Sequence, residues 1–262
     1  MVETNLRYKT LTDLSRILSL FETQEIEERS VSDISKSLEM LPSKVSRMLK
    51  TLEIEGFVEK NRHTGKFRIG ARFLQLGLLY VLNHPLRRII LPHLEQVAKD
   101  LDLVAAWGIF KNGRTIVVDR FRLDNRPMIY LVGSEVSLHS SSYGKLFLAY
   151  LPEEEQRRIL KSIVLVKLAP ATIDNLPSMR AELAKVKEKG YAVDDGETRE
   201  GLVGISAPVL DDAGELAAAL TVSGDVADFT TDRATEINYL REKALFISRQ
   251  LGYRAHGVFS AL

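Results

Sequence analysis

"LPSKVSRMLKTLEIEGFVEKNRHTGKFRIG", residues 41 to 70, interleaves basic and hydroxyl side chains with a regular apolar pattern and then runs into two short strand-like stretches around a turn. Placed at about 100° per residue, as a helix requires, Ser43, Ser46, Arg47 and Lys50 fall within one arc, while Val45, Met48, Leu49 and Leu52 fall within the opposite one. One side suits phosphate and the other a core. Pro42 fits at the start of this helix, because its missing N–H costs nothing in a first turn. Two helices precede it, one carrying Leu11, Leu14, Ile17, Leu18 and Phe21 along a face, and a short one from about Ser32 to Glu39 with Ile34 and Leu38 turned inward. Beyond it, Phe57 to Asn61 and Lys66 to Ile69 read as strands around a turn at His63, Thr64 and Gly65, with Phe67 and Ile69 alternating against Lys66 and Arg68. The pattern predicts a helix-turn-helix with a hairpin wing.

The net charge of +1 over 262 residues says nothing about nucleic acid, but its distribution does. From Lys44 to Arg72 eight basic residues face three acids, a local net of +5. A winged unit lays its third helix in the major groove, where Ser, Lys and Arg reach phosphates and base edges, and rests the wing on the adjacent backbone. Arg47 is the candidate for a base-edge contact; Lys44, Lys50, Arg62, Lys66 and Arg68 are candidates for phosphates, and Ser43 and Ser46 complete the face. The partner expected is double-stranded operator DNA. The alternative is a helical domain that binds protein through the same surface.

An apolar fraction of 45% with 27% charged residues predicts a soluble globular chain. The opening MVETNLRYKT has no signal-peptide core and no apolar run reaches the roughly 18 residues of a membrane span, so no membrane partner and a cytoplasmic location are expected. Absence of cysteine excludes disulfides, thiolate metal sites and cysteine nucleophiles, and the scattered His63, His84, His93, His139 and His256 offer no i, i+4 metal pair. No metal and no cofactor are expected, since neither a P-loop nor a Gly-x-Gly-x-x-Gly occurs in a strand-to-helix context. "HSSSYG" sets His139 beside three serines, but sequence neighbours do not make a triad, and no Gly-x-Ser-x-Gly elbow is present, so the chain is not read as an enzyme.

"GARFLQLGLLYVLNHP", residues 70 to 85, is apolar all round a helix rather than along a stripe. It reads as a connecting helix buried against a second subunit, which suits a two-fold operator; burial against its own domain is the alternative. Past it, "LVAAWGIFKNGRTIVVDRFR" (103–122) pairs two apolar runs about Asn-Gly, and "VGISAPVLDDAGELAAALTVSG" (203–224) pairs two more about Asp-Ala-Gly. Helices follow at Pro152 with its three glutamates, from about Ser178 to Gly190, and from about Asp232 to Leu251. The expected fold is therefore α+β in two domains: a winged helix-turn-helix over 1–69, a connecting helix over 70–86, and a domain with a mainly antiparallel sheet over 87–262.

The winged "PSKVSRMLKTLEIEGFV", the stretch "LHSSSYGKLFLAYLPEEE" and above all "GYAVDDGETREGLVGISAPVLDDAGELAAALTVSG" resemble the IclR (isocitrate lyase regulator) family of transcription factors over nearly the whole chain. The resemblance implies a GAF-like effector domain, homodimers or homotetramers, and control of operator affinity by a small organic acid. By matching position it implies an effector pocket of Met128, Ser142, Tyr143, Asp194, Gly204, Thr221 and Ser223, with the Ser142 and Tyr143 amides facing a carboxylate. Trp107 reads equally as a pocket wall or as core. The chain departs from the family at Gly204, where some relatives carry Cys, at the large Tyr143, at Glu39 where Gly is favoured, and at Leu41 where Pro is favoured. The competing function is an architectural DNA binder whose second domain only oligomerises.

Overall fold

The computed structural model describes residues 8–22, 28–123 and 130–254. The chain divides into two compact units, residues 1–82 and 83–262.

In the first unit, α1 (Lys9–Ser19), α2 (Val31–Leu38) and α3 (Pro42–Ile54) close on a core of Ile17, Phe21, Ile34, Val45, Leu49 and Leu52, joined by Val58 and Phe67 from the wing. Ser30 caps α2 reciprocally with Asp33: its hydroxyl accepts from the Asp33 amide, and its own amide donates to the Asp33 carboxylate. The turn after α2 is carried by Glu39 in the left-handed region at φ 53, the conformation for which glycine is usual. The helix-turn-helix thus keeps its geometry with a glutamate in that place. Pro42 occupies the first turn of α3.

One feature of α1 differs from expectation. Leu11 is 63% exposed, and the inward stripe ends instead at Asp13, which is 5% exposed and receives the Lys44 ammonium. Asp13 and Ile17 are one helical turn apart, so the carboxylate sits on the same stripe as the core residue and is tolerated only because it is paired. The wing strands β1 (Val58–Lys60) and β2 (Phe67–Ile69) are shorter than their apolar runs suggest, and Ile69 is 42% exposed. An antiparallel bridge from Arg29 to Phe67 adds a third edge to the hairpin. The connecting helix α4 (Ala71–Asn83) has no buried residue; Leu74 is 73% exposed.

The second unit is built on a six-stranded antiparallel sheet in the order β5-β4-β3-β8-β7-β6. Its strands are β3 (Val104–Lys111), β4 (Arg114–Phe121), β5 (Glu135–Val136), β6 (Ala192–Asp195), β7 (Leu202–Leu210) and β8 (Leu216–Asp225). The Asn112-Gly113 turn joins β3 to β4 with both residues at positive φ, as a two-residue hairpin of this twist requires. Helices α5 (Arg87–Leu101) and α9 (Ala234–Gln250) pack together on one face. Helices α6 (Ser142–Tyr150) and α8 (Leu176–Lys189) pack together on the other, with α7 (Glu153–Ser162) between them in sequence. Gly190 ends α8 at φ 71, as its position in the sequence predicts.

Candidate functional site

Two sites emerge, one in each unit. In the first, α3 turns Val45, Met48, Leu49 and Leu52 into the core, which leaves Ser43, Arg47 and Lys50 exposed and Ser46 half-buried on the outer arc. Lys44 behaves differently from its neighbours. Its ammonium is bound to Asp13, and that hydrogen bond holds the Asp13 carboxyl below the usual carboxylate range. Part of its charge is therefore spent tying α3 to α1.

On the wing, Arg62 and Lys66 are exposed at the tip. Arg68 reaches across the ladder to Glu59 at 3.0 Å, its partner in register. The tip itself is pinned from outside the hairpin: Glu28 accepts from the Asn61 amide at 2.6 Å and from the Thr64 hydroxyl at 2.8 Å. Asn61 in turn accepts the amides of His63 and Thr64.

In the second unit the site forms where the start of α6 crosses the sheet. Ser141 caps α6, its hydroxyl accepting from the Gly144 amide at 3.0 Å, and a Cβ at Gly144 would lie 2.3 Å from the Ser137 carbonyl. Only glycine lets the helix begin so close to the preceding loop. The amides of Ser142 and Tyr143 lie in the first turn of α6, where backbone N–H groups precede any acceptor within the helix.

Opposite them the register sets Asp194, Gly204 and Ser223 in one row across β6, β7 and β8, and Ser206 and Thr221 in the next row on the same face. Ser206 donates to Ser142 at 2.8 Å and is bonded to Thr221 at 2.7 Å. A Cβ at Gly204 would lie 3.0 Å from the Ser142 hydroxyl and 3.7 Å from the Asp194 Cβ, so glycine here lets the start of α6 approach β7 closely.

Asp194 is 2% exposed and accepts the amides of Glu197 and Thr198 at 2.8 and 3.1 Å. Burial pushes its carboxyl above the usual range, against those bonds and the Lys145 charge. Glu197 is pushed up to about 7, again chiefly by burial, although Lys145 opposes it. Tyr143 is 4% exposed; burial raises its hydroxyl above the usual phenol range, and Thr221 is its hydrogen-bond partner. Tyr130 is pushed up to about 12 by burial and then by the Asp194 charge.

The structure thus brings together Ser142, Tyr143, Asp194, Gly204, Thr221 and Ser223; Met128 lies outside the described residues. Trp107 belongs elsewhere. Its neighbours Ala106 and Gly108 face α6, so Trp107 points to the α5 face, fully buried and edge-on to His84 at 5.2 Å between ring centres. His139 bonds Ser137 and the Val166 carbonyl, while Ser140, Ser141 and Ser142 engage Thr198, Ser137 and Ser206, so no Ser-His pair forms in "HSSSYG". Asp195 is held by Arg233 at 2.6 Å.

Ser206, Tyr130, Lys145 and Glu197 stand against these residues and were not among the sequence candidates. Ser206 was available from period-two alternation, two positions from Gly204 on one strand face. Lys145 and Glu197 were not, because they meet across 52 intervening positions without a local signal.

Comparison with known proteins decides the family. The model described as "Bacterial transcriptional regulator IclR C-terminal" matches residues 78–249. The chain belongs to the IclR family. A helix-turn-helix model of the description "Bacterial regulatory protein, arsR family" matches residues 14–60 of this IclR-family chain. The transcriptional repressor AllR of Escherichia coli K12 is 30% identical over 231 residues, covering 87% of this chain and 84% of AllR. The crystal structure of IclR from Thermotoga maritima superposes with a TM-score of 0.67 at 30% identity, over 93% of this chain and 99% of that one. An IclR homologue from Microbacterium hydrocarbonoxydans, solved in complex with 4-hydroxybenzoate, shares the fold at a TM-score of 0.74 and 24% identity, over 92% of this chain and 98% of that one. This IclR-family protein is a DNA-binding transcriptional regulator with an α+β, two-domain fold, and not an enzyme. No helix among the described residues is long and apolar enough to cross a membrane.

Proposed function

We propose that this regulator recognises a specific operator through α3 and the wing, and that a small carboxylic acid bound at the start of α6 controls its affinity for that operator. The observation that carries the DNA reading is the division of α3: Ser43, Arg47 and Lys50 stand exposed on one arc while the opposite arc is closed in the core. Arg47 reads a base edge; Lys50, Arg62 and Lys66 meet phosphates, joined by Lys44 and Arg68 to the extent that their acidic partners release them; Ser43 and Ser46 bond the backbone.

The effector reading rests on complementary chemistry. Two first-turn amides and the Ser142 and Ser223 hydroxyls suit a carboxylate, while the desolvated Asp194 accepts from a ligand hydroxyl. A relative in complex with a hydroxylated carboxylate is in keeping with that donor and acceptor set. In this reading the working domains are residues 1–69, 70–86 and 87–262, and the exposed leucines of α4 join two copies into a homodimer that fits a two-fold operator. The ligand acts by binding one conformation of the dimer better than another.

Footprinting on the DNA flanking its own gene, with and without small organic acids, tests the whole reading. A footprint that changes with one acid supports it, and an acid at 100 times its Kd should also stabilise the protein by about 2.7 kcal/mol. A footprint unmoved by a broad panel of acids, together with a constant melting temperature, would refute control by such a ligand.

A further inference from the structure

We infer that Asp13 withholds Lys44 from DNA: the pair stays closed in the complex, the recognition helix makes one phosphate contact fewer than its cations would allow, and Asp13 thereby sets how tightly the protein holds duplex of any sequence. The inference rests on the DNA reading of α3 proposed above and deepens it.

Lys44 could serve either side of its helix. In the first turn of α3 it stands about 60° round from Arg47, between the exposed arc and the core arc, and its flexible stem can carry the ammonium toward either. The structure sends it to α1, where the ammonium bonds the Asp13 carboxylate. Asp13 lies on the inward stripe with Ile17, and its side chain is 7% exposed while that of Lys44 is 33% exposed. Arg16 approaches the same carboxylate only to 3.9 Å and donates to the Leu38 carbonyl at 3.3 Å. Lys44 is therefore the cation that bonds this acid directly.

Burial of the acid decides whether the pair opens. A phosphate on the duplex surface is solvated and offers Lys44 one negative charge in place of another. Opening the pair, by contrast, strands the Asp13 carboxylate out of water without its cation, which costs more than an exposed contact returns. The wing pair is the opposite case: Glu59 is 45% exposed and Arg68 58%, so water can replace either partner and Arg68 can turn to DNA. Two cations that look alike in the sequence are thus held by acids of different exposure, and only the wing pair opens.

The test uses the full-length protein and a short fluorescein-labelled duplex of arbitrary sequence, read by anisotropy across a salt series. Asp13→Asn still accepts a hydrogen bond but no longer neutralises Lys44. It should steepen the salt slope by about 0.9, so that its gain in affinity over wild type shrinks roughly threefold between about 50 and about 200 mM salt. Asp13→Asn with Lys44→Gln replaces the ion pair by a neutral hydrogen bond and should return the slope to that of wild type. An unchanged slope in folded Asp13→Asn would overturn the inference. So would a double variant as steep as the single one, which traces the effect to the lost acid alone, or one about 0.9 shallower than wild type, which means that Lys44 leaves Asp13 for a phosphate. If Asp13→Asn does not fold, the double variant decides by the same criteria. Lys50→Ala separates this inference from the reading it rests on. A slope lowered by about 0.9 there, with no change in Asp13→Asn, refutes the withheld lysine alone, and a slope unmoved by either variant refutes the α3 face.

Discussion

The ammonium of Lys145, on the inner face of α6 and fully buried, is bound by Glu197 from the loop after β6 and, at 3.2 Å, by Glu182 of α8. The same Glu197 donates its amide to Asp194, and its carbonyl accepts from the Thr172 hydroxyl. One lysine therefore fixes the helix that carries Ser142 and Tyr143 to the loop whose amides hold Asp194.

Removing that lysine alone leaves two acids facing a buried hole. Lys145→Met should destabilise the protein by about 3–5 kcal/mol, because a partner charge is left desolvated and unpaired. Lys145→Met combined with Glu197→Gln should recover a large part of the loss. Urea denaturation of the two variants measures both, and a double variant no more stable than the single one would count against the pair.

Glu197 also gives stability a pH dependence. Its carboxyl is pushed up to about 7 in the fold from an ordinary 4.5, so the native state keeps this proton after the unfolded chain has lost it. The corresponding contribution is present in full at low pH and falls as pH rises from about 4.5 to about 7, and Asp194, also raised, acts in the same direction. Glu197→Gln should flatten that limb of the curve. Identical slopes for wild type and variant across this range would exclude Glu197 as its source.

On the DNA face the cations are not equivalent. Arg47→Ala should cost about 1–3 kcal/mol of operator binding and relax specificity at one base, read by fluorescence anisotropy on a set of single-base operator variants. An unchanged isotherm would remove Arg47 from the interface.

Lys66→Ala should lower the salt slope by about 0.9, the share of one phosphate contact. Arg68→Ala should lower it less, since Glu59 already neutralises part of the Arg68 charge in the free protein. Equal changes at the two positions would mean that the Glu59 pair opens completely on DNA.

For α4, Leu74→Glu with Leu79→Glu should leave a monomer by light scattering and weaken operator binding, because these side chains, 73% and 55% exposed in the single chain, are the ones a second copy would cover. A variant that stays dimeric places the joint elsewhere.

Periodicity made the recognition helix legible because a helix with a dry side and a wet side leaves both on the page: every residue assigned to the dry arc of α3 is buried. Asn112-Gly113 was legible for a different reason, since few dipeptides reach positive φ at both positions. What escaped was pairing at a distance. Asp13 on an apolar stripe, Lys145 in the core and Lys44 drawn to Asp13 are each placed by a charge far along the chain, and no local pattern encodes such a partner. The candidate effector residues came from kinship, and alternation on β7 and β8 would have added Ser206 to the row beneath α6.

The hydroxyls beneath α6 also have a direction. Ser206 has a single proton and gives it to Ser142, so the bond between Ser206 and Thr221 is donated by Thr221. Thr221, Ser206 and Ser142 accordingly form a polarised relay that ends at Ser142. Each link sharpens the next by roughly 10–30%. The Ser142 hydroxyl at the start of α6 is thereby a stronger donor than an isolated serine, polarised by two hydroxyls of the sheet beneath it.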